Sequence, residues 1–238
     1  MIISVTLNAA MDRTVAVPNF RQGHKHRSVE SRTVPGGKGI NVARALRLLG
    51  RPVIATGLAG GATGDGVLAQ LTEESLLTDF IRIAEETRIN LAVIDPTSNE
   101  QTEINERGPH VRPEELDAFV KRLDYLAGGA TICVLAGSLP PGVDVNTYNR
   151  LVTNLRQRGI TVLLDAEGDA MFSGMRAGPD MVTPNQLEAE ELVGHEFESR
   201  DEVFTALSEL IEMGPSEAAI TLPEGCVAVV GDGPERRM

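Results

Sequence analysis

The sequence is poor in positive charge. Its 238 residues include 34 Asp and Glu against 22 Lys and Arg, which gives a formal net charge of −12 at pH 7. A chain with this balance repels nucleic acids and anionic membrane surfaces, so we expect neither as a partner. An anionic small molecule would need a local cluster of donors. Each basic residue beside a glycine-rich loop is therefore informative.

Long apolar runs and cysteines are also scarce. No stretch approaches the ~20 apolar residues that a membrane span requires. Residues 2–7 form a short β-branched run without the basic segment of a signal peptide, and they predict a strand. The two cysteines, Cys133 and Cys226, lie in apolar runs without metal-ligand spacing, and we expect both to be buried. These features predict a cytoplasmic protein.

The most informative segment is the glycine-rich run VPGGKGINVA at residues 34–43. Free backbone N–H groups at a helix start, glycines that permit close approach and the charge of Lys38 suit a phosphate or a polyhydroxyl sugar. A turn kept only for tight packing is the alternative. The spacing excludes a Walker A loop, because Arg32 stands where its first glycine belongs, and Val42 breaks the dinucleotide fingerprint.

Amphipathic helices alternate with short apolar runs along the chain. Helical periodicity follows Pro113 and Asn146 and recurs around Val203, while the apolar runs are VIATGLA, ATICVLAG, ITVLLD and EAAITL. Strands without polar alternation between such helices predict a parallel sheet covered on both faces. We therefore expect an α/β fold with a doubly wound, mostly parallel sheet, in which ligands bind beyond the carboxyl ends of the strands.

Two segments break this rhythm. Residues 11–34 and 88–107 are polar and alternating, which predicts a small β-sheet lid with one wet face. In an extended conformation Lys25 and Arg27 would share one face, and His24 and His26 the other. Metal binding by the two histidines is the weaker alternative, because no further ligands stand at suitable spacing.

Six segments together resemble the ribokinase-like (PfkB) family of sugar kinases, in its 1-phosphofructokinase and tagatose-6-phosphate kinase branch. In family order they are TLNAAMDRT, PGGKGINVAR, TRINLAV, TEINERGP, VLAGSLPPGV and PNQLEAEEL. The resemblance implies one ribokinase-like domain over residues 1–238, with a Rossmann-like core and a β-sheet lid. It also implies ATP and Mg²⁺ as cofactors, a ketohexose phosphate as substrate and a homodimer formed through the lid.

The same resemblance implies a set of site residues. Those expected to bind the sugar phosphate are Asp12, Lys25, Gly36, Gly37, Lys38, Asn41, Arg88, Asn90 and Ser138. Those expected on the nucleotide side are Asp165, Asn185 and Glu188, with Glu188 also holding Mg²⁺ indirectly. Arg88 offers a planar fork to the phosphate already on the substrate. Ser138 does not suit a serine hydrolase, because Ala136 and Pro140 replace the glycines of that motif.

Simpler interpretations of these residues remain open. Asp12 can be a turn aspartate and Arg88 a solvated charge of the lid. Asn185 and Glu188 can be an ordinary helix cap followed by an acidic first turn.

The chain also departs from the family pattern. Thr183 stands where relatives commonly have a lysine, and Ala166 and Glu167 replace a usual pair of small hydroxyl residues. The Gly-Ala-Gly-Asp motif, which carries the family's catalytic base and anion hole, is not among these residues, so no catalytic residue is assigned. Neither Asp165 nor Asp232 has the glycine context to replace it.

These departures shape the functional expectation. We expect a fragment of a longer kinase, without turnover of its own, rather than a degenerate sugar-phosphate binder. Fructose 1-phosphate is the first choice of substrate, ahead of tagatose 6-phosphate and fructose 6-phosphate. A ribose or nucleoside kinase is disfavoured, because an unphosphorylated substrate would leave the guanidinium of Arg88 unpaired.

Overall fold

Two β-sheets organise the computed structural model, which describes residues 1–231. The strands, in chain order, are β1 (Ile2–Thr6), β2 (Ala10–Ala16), β3 (Glu30–Gly36), β4 (Val53–Gly60), β5 (Leu77–Ile83), β6 (Arg88–Asp95), β7 (Glu100–Ile104), β8 (Ile132–Ala136), β9 (Thr161–Asp165), β10 (Met181–Val182), β11 (Glu217–Leu222) and β12 (Gly225–Val229). The large sheet has the order β12-β11-β10-β9-β8-β1-β4-β5, and the small sheet has the order β3-β2-β6-β7. All pairs of the large sheet are parallel except β11 with β12.

Seven helices within the described residues connect and cover the large sheet. They are α1 (Lys38–Leu48), α2 (Gly61–Glu73), α3 (Pro113–Ala127), α4 (Thr147–Gln157), α5 (Gly168–Met175), α6 (Gln186–Val193) and α7 (Arg200–Glu212). One core cluster includes residues of α1 and α2, and the other includes residues of α3 to α7, so helices cover both faces. The predicted doubly wound, mostly parallel α/β fold is confirmed.

Strand β1 lies in the middle of the large sheet and is covered on both faces. Ile3 and Val5 are fully buried in the same core cluster as Phe119 of α3. On the opposite face, the buried Ser4 Oγ donates a hydrogen bond of 2.7 Å to the carbonyl oxygen of Gly39 in α1. A Cβ atom on Gly39 would collide with the carbonyl oxygen of Val5. Glycine at this position therefore lets α1 pack directly against the strand.

The small sheet combines strands from the two segments that were predicted to form a lid. Strand β2 pairs antiparallel with β3 and parallel with β6. Asp12 lies beside Asn90 in the register, and the same face continues through Thr14, Ala92 and Glu103. Alternation puts a second set of side chains on the opposite face. This outer face carries Val15, Ile89, Leu91 and Ile104.

The structure corrects two expectations about local environment. Cys133 is buried as expected, but Cys226 is exposed, because it lies in β12, an edge strand that pairs with β11 alone within residues 1–231. The basic run around Lys25 is not a strand. It belongs to the loop at residues 17–29, where Arg21 N–H donates to the Nε2 atom of His26 (3.0 Å). Asp232 lies outside the described residues.

Glu115 fastens α3 to the segment between β5 and β6. Its carboxylate is buried and accepts hydrogen bonds from Ala84 N–H (2.8 Å), from Arg112 N–H (2.9 Å) and from the Arg112 guanidinium (2.8 Å). The guanidinium, helped by these backbone donors, lowers the pKa of Glu115 from 4.5 to about 2. Because the folded-state pKa is depressed, this carboxylate stabilises the fold at pH values above 4.5, and the contribution is lost as the pH falls towards 2.

Glu115→Gln tests this contribution. We expect the free energy of unfolding at pH 7 to fall by about 1–3 kcal/mol, because the charge-assisted hydrogen bonds are lost. Urea unfolding measured from pH 7 down to pH 3 should show the difference from wild type shrinking below the ordinary carboxyl pKa. Glu114→Gln, in the same helical turn but exposed, is the matched control. A difference that stays constant with pH would contradict the assignment.

Candidate functional site

Two cavities meet at Lys38, beside the carboxyl ends of the parallel strands. The first, the lid cavity, has a volume of about 360 Å³ and lies against the small sheet. Its lining residues are Asp12, Arg13, Thr14, Gly37, Lys38, Asn41, Arg88, Asn90, Leu91, Ala92, Gln101, Glu103 and Asn105. The second, the edge cavity, has a volume of about 490 Å³. Its lining residues are Lys38, Asn41, Val42, Ala45, Asp165, Thr183, Asn185, Glu188 and Thr221.

The fold brings most of the predicted substrate residues together. Six of them line the lid cavity: Asp12, Gly37, Lys38, Asn41, Arg88 and Asn90. The other three lie elsewhere. Gly36 is buried behind Asp12, where a Cβ atom would collide with the Asp12 carboxylate. Lys25 is an exposed residue of the loop at 17–29, and the Ser138 hydroxyl accepts a hydrogen bond from Asn8 (3.2 Å).

Asp12 is oriented by its neighbour on the small sheet. The Nδ2 atom of Asn90 donates to Oδ1 of Asp12 (2.9 Å), as their paired register positions on β2 and β6 allow. The second carboxylate oxygen of Asp12 takes no part in this bond. The Oδ1 atom of Asn90 is buried, and no partner for it exists within residues 1–231. Asp12, which lines the cavity, therefore offers its second oxygen as an acceptor to a ligand that carries hydroxyl groups.

Arg88 is held firmly by the backbone. Its Nη1 atom donates to the carbonyl oxygen of Glu106 (2.9 Å), and its Nη2 atom donates to that of Asn8 (3.1 Å). Burial lowers the pKa of Arg88, and the nearby charge of Asp12 opposes this shift. A guanidinium has five N–H donors, so two bonds fix its plane and leave others for a ligand.

The start of α1 lies where the two cavities meet. The N-cap is Gly37, with a φ of 119° that L side chains rarely adopt. Because glycine has no side chain, it cannot cap the first backbone N–H groups of the helix, which remain available as donors. A positive helix end with uncapped N–H groups favours a bound anion.

Lys38 lies among three carboxylates. Its Nζ atom is 3.0 Å from Asp165, 3.1 Å from Glu188 and 3.7 Å from Glu167. Burial by itself would lower the pKa of Lys38, but the charges and hydrogen bonds of Asp165 and Glu188 outweigh it and raise that pKa. Burial also raises the pKa of Asp165, against the attraction of Lys38. Sequence analysis assigned Lys38 to the substrate, whereas its ammonium group contacts Asp165 and Glu188, which were assigned to the nucleotide side.

Asn185 and Glu188 have a structural role. Asn185 Oδ1 accepts from Glu188 N–H (2.9 Å), and Glu188 Oε2 accepts from Asn185 N–H (2.9 Å), which forms a capping box at the start of α6. The helix-cap interpretation therefore accounts for Asn185 and for one carboxylate oxygen of Glu188. The remaining oxygen of Glu188 faces Lys38 at the edge cavity.

Sequence reasoning missed several lining residues. Gln101, Glu103 and Asn105 line the lid cavity, and they follow one another at every second position in and after β7. That spacing was a signal that they share the face of Asn90. Asn8 is only 3% exposed and contacts two predicted site residues. Asn8 lies in the segment TLNAAMDRT, from which only Asp12 was assigned to the site.

The carboxylates suit only a metal ion that arrives with other ligands. Within the described chain, no group of three or more His, Cys, Asp or Glu side chains is arranged to hold a metal ion. Mg²⁺ commonly uses one or two protein carboxylates together with water and substrate phosphates, and Asp165 and Glu188 fit that pattern.

None of the helices described here has the length and apolar character needed to cross a membrane.

Comparison with solved structures finds the same fold in sugar-phosphate enzymes. Phosphofructokinase-2 from Escherichia coli, solved in complex with fructose-6-phosphate, matches with a TM-score of 0.88 and 30% identity, over 98% of this chain and 77% of that one. A possible 1-phosphofructokinase from Thermotoga maritima matches with a TM-score of 0.84 and 28% identity, over 96% of this chain and 77% of that one.

Sequence comparison identifies the family. The 1-phosphofructokinase of Bacillus subtilis is 34% identical over 222 residues, which cover 93% of this chain and 72% of the relative. That of Borreliella burgdorferi is 29% identical over 232 residues, which cover 97% and 74%. The pattern of the pfkB family of carbohydrate kinases matches residues 3–236. With this match across nearly its whole length, the chain belongs to the pfkB family of carbohydrate kinases.

Proposed function

We propose that this protein is an ATP-dependent sugar-phosphate kinase, which transfers the γ-phosphoryl group to the free primary hydroxyl of a ketohexose phosphate. The observation that carries the proposal is the meeting of the two cavities at Lys38. The lid cavity has the acceptors and donors that a phosphorylated sugar needs. The edge cavity has the carboxylates and helix start that suit a nucleotide with its metal ion.

The lid cavity supports binding of a sugar that already carries a phosphate. Asp12 accepts hydrogen bonds from sugar hydroxyls, while Asn41 and the start of α1 offer donors. Arg88 is the only one of the predicted substrate residues in this cavity with a guanidinium, and two backbone carbonyls fix its plane. A fixed guanidinium suits a phosphate, because it makes paired, charge-assisted hydrogen bonds.

The edge cavity supports binding of the nucleotide phosphates. Asp165 and Glu188 would hold Mg²⁺ through water and the phosphates, and Mg²⁺ would neutralise charge on the transferred group. Phosphoryl transfer depends mainly on positioning and charge stabilisation. Lys38 touches both cavities, so its ammonium group would lie between the acceptor hydroxyl and the phosphates.

Fructose 1-phosphate is our first choice of substrate. The support is the name 1-phosphofructokinase carried by the relatives from Bacillus subtilis and Borreliella burgdorferi. The neighbour solved with fructose-6-phosphate makes that sugar the main competitor. We propose that the protein acts in the cytoplasm.

We also propose a homodimer formed through the small sheets. The outer face of the small sheet carries a row of apolar side chains, among which Ile89 is 42% exposed and Ile104 is 58% exposed. Ile104 lies opposite Leu91 in the register of β7 and β6. An apolar face that is not buried within one chain favours pairing with an identical face across a two-fold axis.

Replacing Lys38 by Met tests its role at the junction. We expect binding of MgADP to weaken at least about tenfold, because three carboxylates would face the phosphates without a counter-charge, and tenfold corresponds to ~1.4 kcal/mol. Isothermal titration calorimetry measures the change. Lys121→Met, at an exposed position of α3, is the matched control. Equal affinity in wild type and the Lys38 variant would contradict the role.

Arg88 is tested by its preference for phosphate. Because a charge-assisted contact contributes ~1.5–3 kcal/mol, wild type should bind fructose 1-phosphate about tenfold or more tightly than fructose. Arg88→Lys should reduce this ratio, since an ammonium group cannot make the paired contact. Calorimetric titration with both sugars gives the ratio. A wild type that binds the two sugars equally would remove Arg88 from its proposed role.

Assembly is tested by light scattering at micromolar concentration. Wild type should give twice the 25.5 kDa chain mass. Ile104→Lys should give the monomer mass, because a charge would interrupt the apolar face. Leu77→Lys, at a 67% exposed position in the edge strand β5 of the large sheet, should leave the dimer intact. A monomeric wild type, or a dimer that survives Ile104→Lys, would argue against this interface.

A further inference from the structure

Asn8 is a buried polar residue between β1 and β2, and it is only 3% exposed. Its Nδ2 atom donates to the carbonyl oxygen of Arg107 (3.0 Å) and to the hydroxyl of Ser138 (3.2 Å). Burying an amide is costly unless such bonds are made. The conformation of Asn8 is therefore set by these two partners.

The partners of Asn8 belong to different sheets. Arg107 follows β7 of the small sheet, and Ser138 follows β8 of the large sheet. One side-chain amide thus joins the end of the lid to the strand ends of the core.

The same residue holds Arg88 through its backbone. The Nη2 atom of Arg88 donates to the carbonyl oxygen of Asn8, while the Nη1 atom donates to that of Glu106. Glu106 also accepts from the N–H group of Ile89 through its side chain (3.0 Å). The guanidinium therefore lies between two carbonyls whose separation depends on the contact of Asn8 with the segment at 106–108.

Gly108 shows how closely this segment packs against Asn8. A Cβ atom on Gly108 would collide with the Oδ1 atom of Asn8, and the φ of Gly108 is +100°. Oδ1 is also buried without a hydrogen-bond partner in residues 1–231. The amide is thus fixed by its two donor bonds and by steric contact with Gly108, and its rotation would disturb both.

We propose that Asn8 is a positioning residue for the phosphate of the substrate. By joining the segment at 106–108 to the end of β8, its side chain fixes the two carbonyls that orient the guanidinium of Arg88. This proposal rests on the proposed function, because it assigns Arg88 to the substrate's phosphate. Asn8 itself is not required to touch the sugar.

Asn8→Ala, in the full chain, provides the test, with the affinities for fructose 1-phosphate and fructose measured by calorimetry. We expect the ratio of the two affinities to fall at least about fivefold, which corresponds to one hydrogen bond of ~1 kcal/mol, while the affinity for fructose changes little. Asn149→Ala is the matched control. It removes a hydrogen bond of 2.8 Å that the Nδ2 atom of Asn149 donates to the carbonyl oxygen of Ser173. This bond joins α4 to α5, away from both cavities.

The thermal unfolding midpoint separates positioning from a general loss of stability. A variant with a lower midpoint but an unchanged affinity ratio would overturn the proposal, and so would an equal fall of the ratio in Asn149→Ala. Asn8→Ser leaves a smaller cavity and serves as the second variant. If neither variant folds, Asn8 is a folding residue and the proposal fails. A wild type without preference for fructose 1-phosphate would instead overturn the proposed function.

Discussion

The packing of α1 directly against β1 is the constraint on which both cavities depend. Ser4 reaches the carbonyl oxygen of Gly39 only because no Cβ atom separates the helix from the strand. The same absence of side chains lets Gly36 lie against the Asp12 carboxylate and lets Gly37 adopt its positive φ. Larger residues here would move the helix start away from the strand ends, and the two cavities would no longer share a boundary.

The charges around Lys38, where the two cavities meet, determine which ligand this region suits. A chain with a net charge of −12 cannot gather an anionic ligand by its overall field, so attraction has to be local. Yet the fold surrounds Lys38 with the carboxylates of Asp165, Glu167 and Glu188. One ammonium group does not neutralise three carboxylates. The edge cavity is therefore better matched to a phosphate group that brings its own divalent cation than to a bare one.

The sequence predicted the architecture well, because its evidence was local. The helices near Pro113, Asn146 and Val203 and the apolar strands between them showed clear periodicity, and the large sheet follows from that alternation. The glycine run also predicted a helix start. That prediction depended only on the spacing of glycines and Lys38 within a few residues, which the sequence displays directly.

Side-chain partners at long range were not predictable in the same way. Lys38 stands in a motif associated with the substrate, but its partners Asp165 and Glu188 are 127 and 150 positions away. Arg88 was expected to present a free fork, whereas the carbonyls of Asn8 and Glu106 occupy part of it. Such contacts depend on how separate strands end at one edge, and no local pattern records that.

The orphaned polar atoms connect the stability of the fold to its chemistry. The Oδ1 atoms of Asn8 and Asn90 and the Nε atom of Arg88 are buried without partners within residues 1–231. Each unsatisfied buried group costs about 1–3 kcal/mol, so the fold accepts a local loss of stability around the lid cavity. At Asn8 the loss accompanies a rigid connection between two sheets. At Asn90 and Arg88 the buried atoms belong to side chains that also line the cavity. A ligand that binds the cavity-lining parts of these side chains binds the folded state alone, and it thereby stabilises that state.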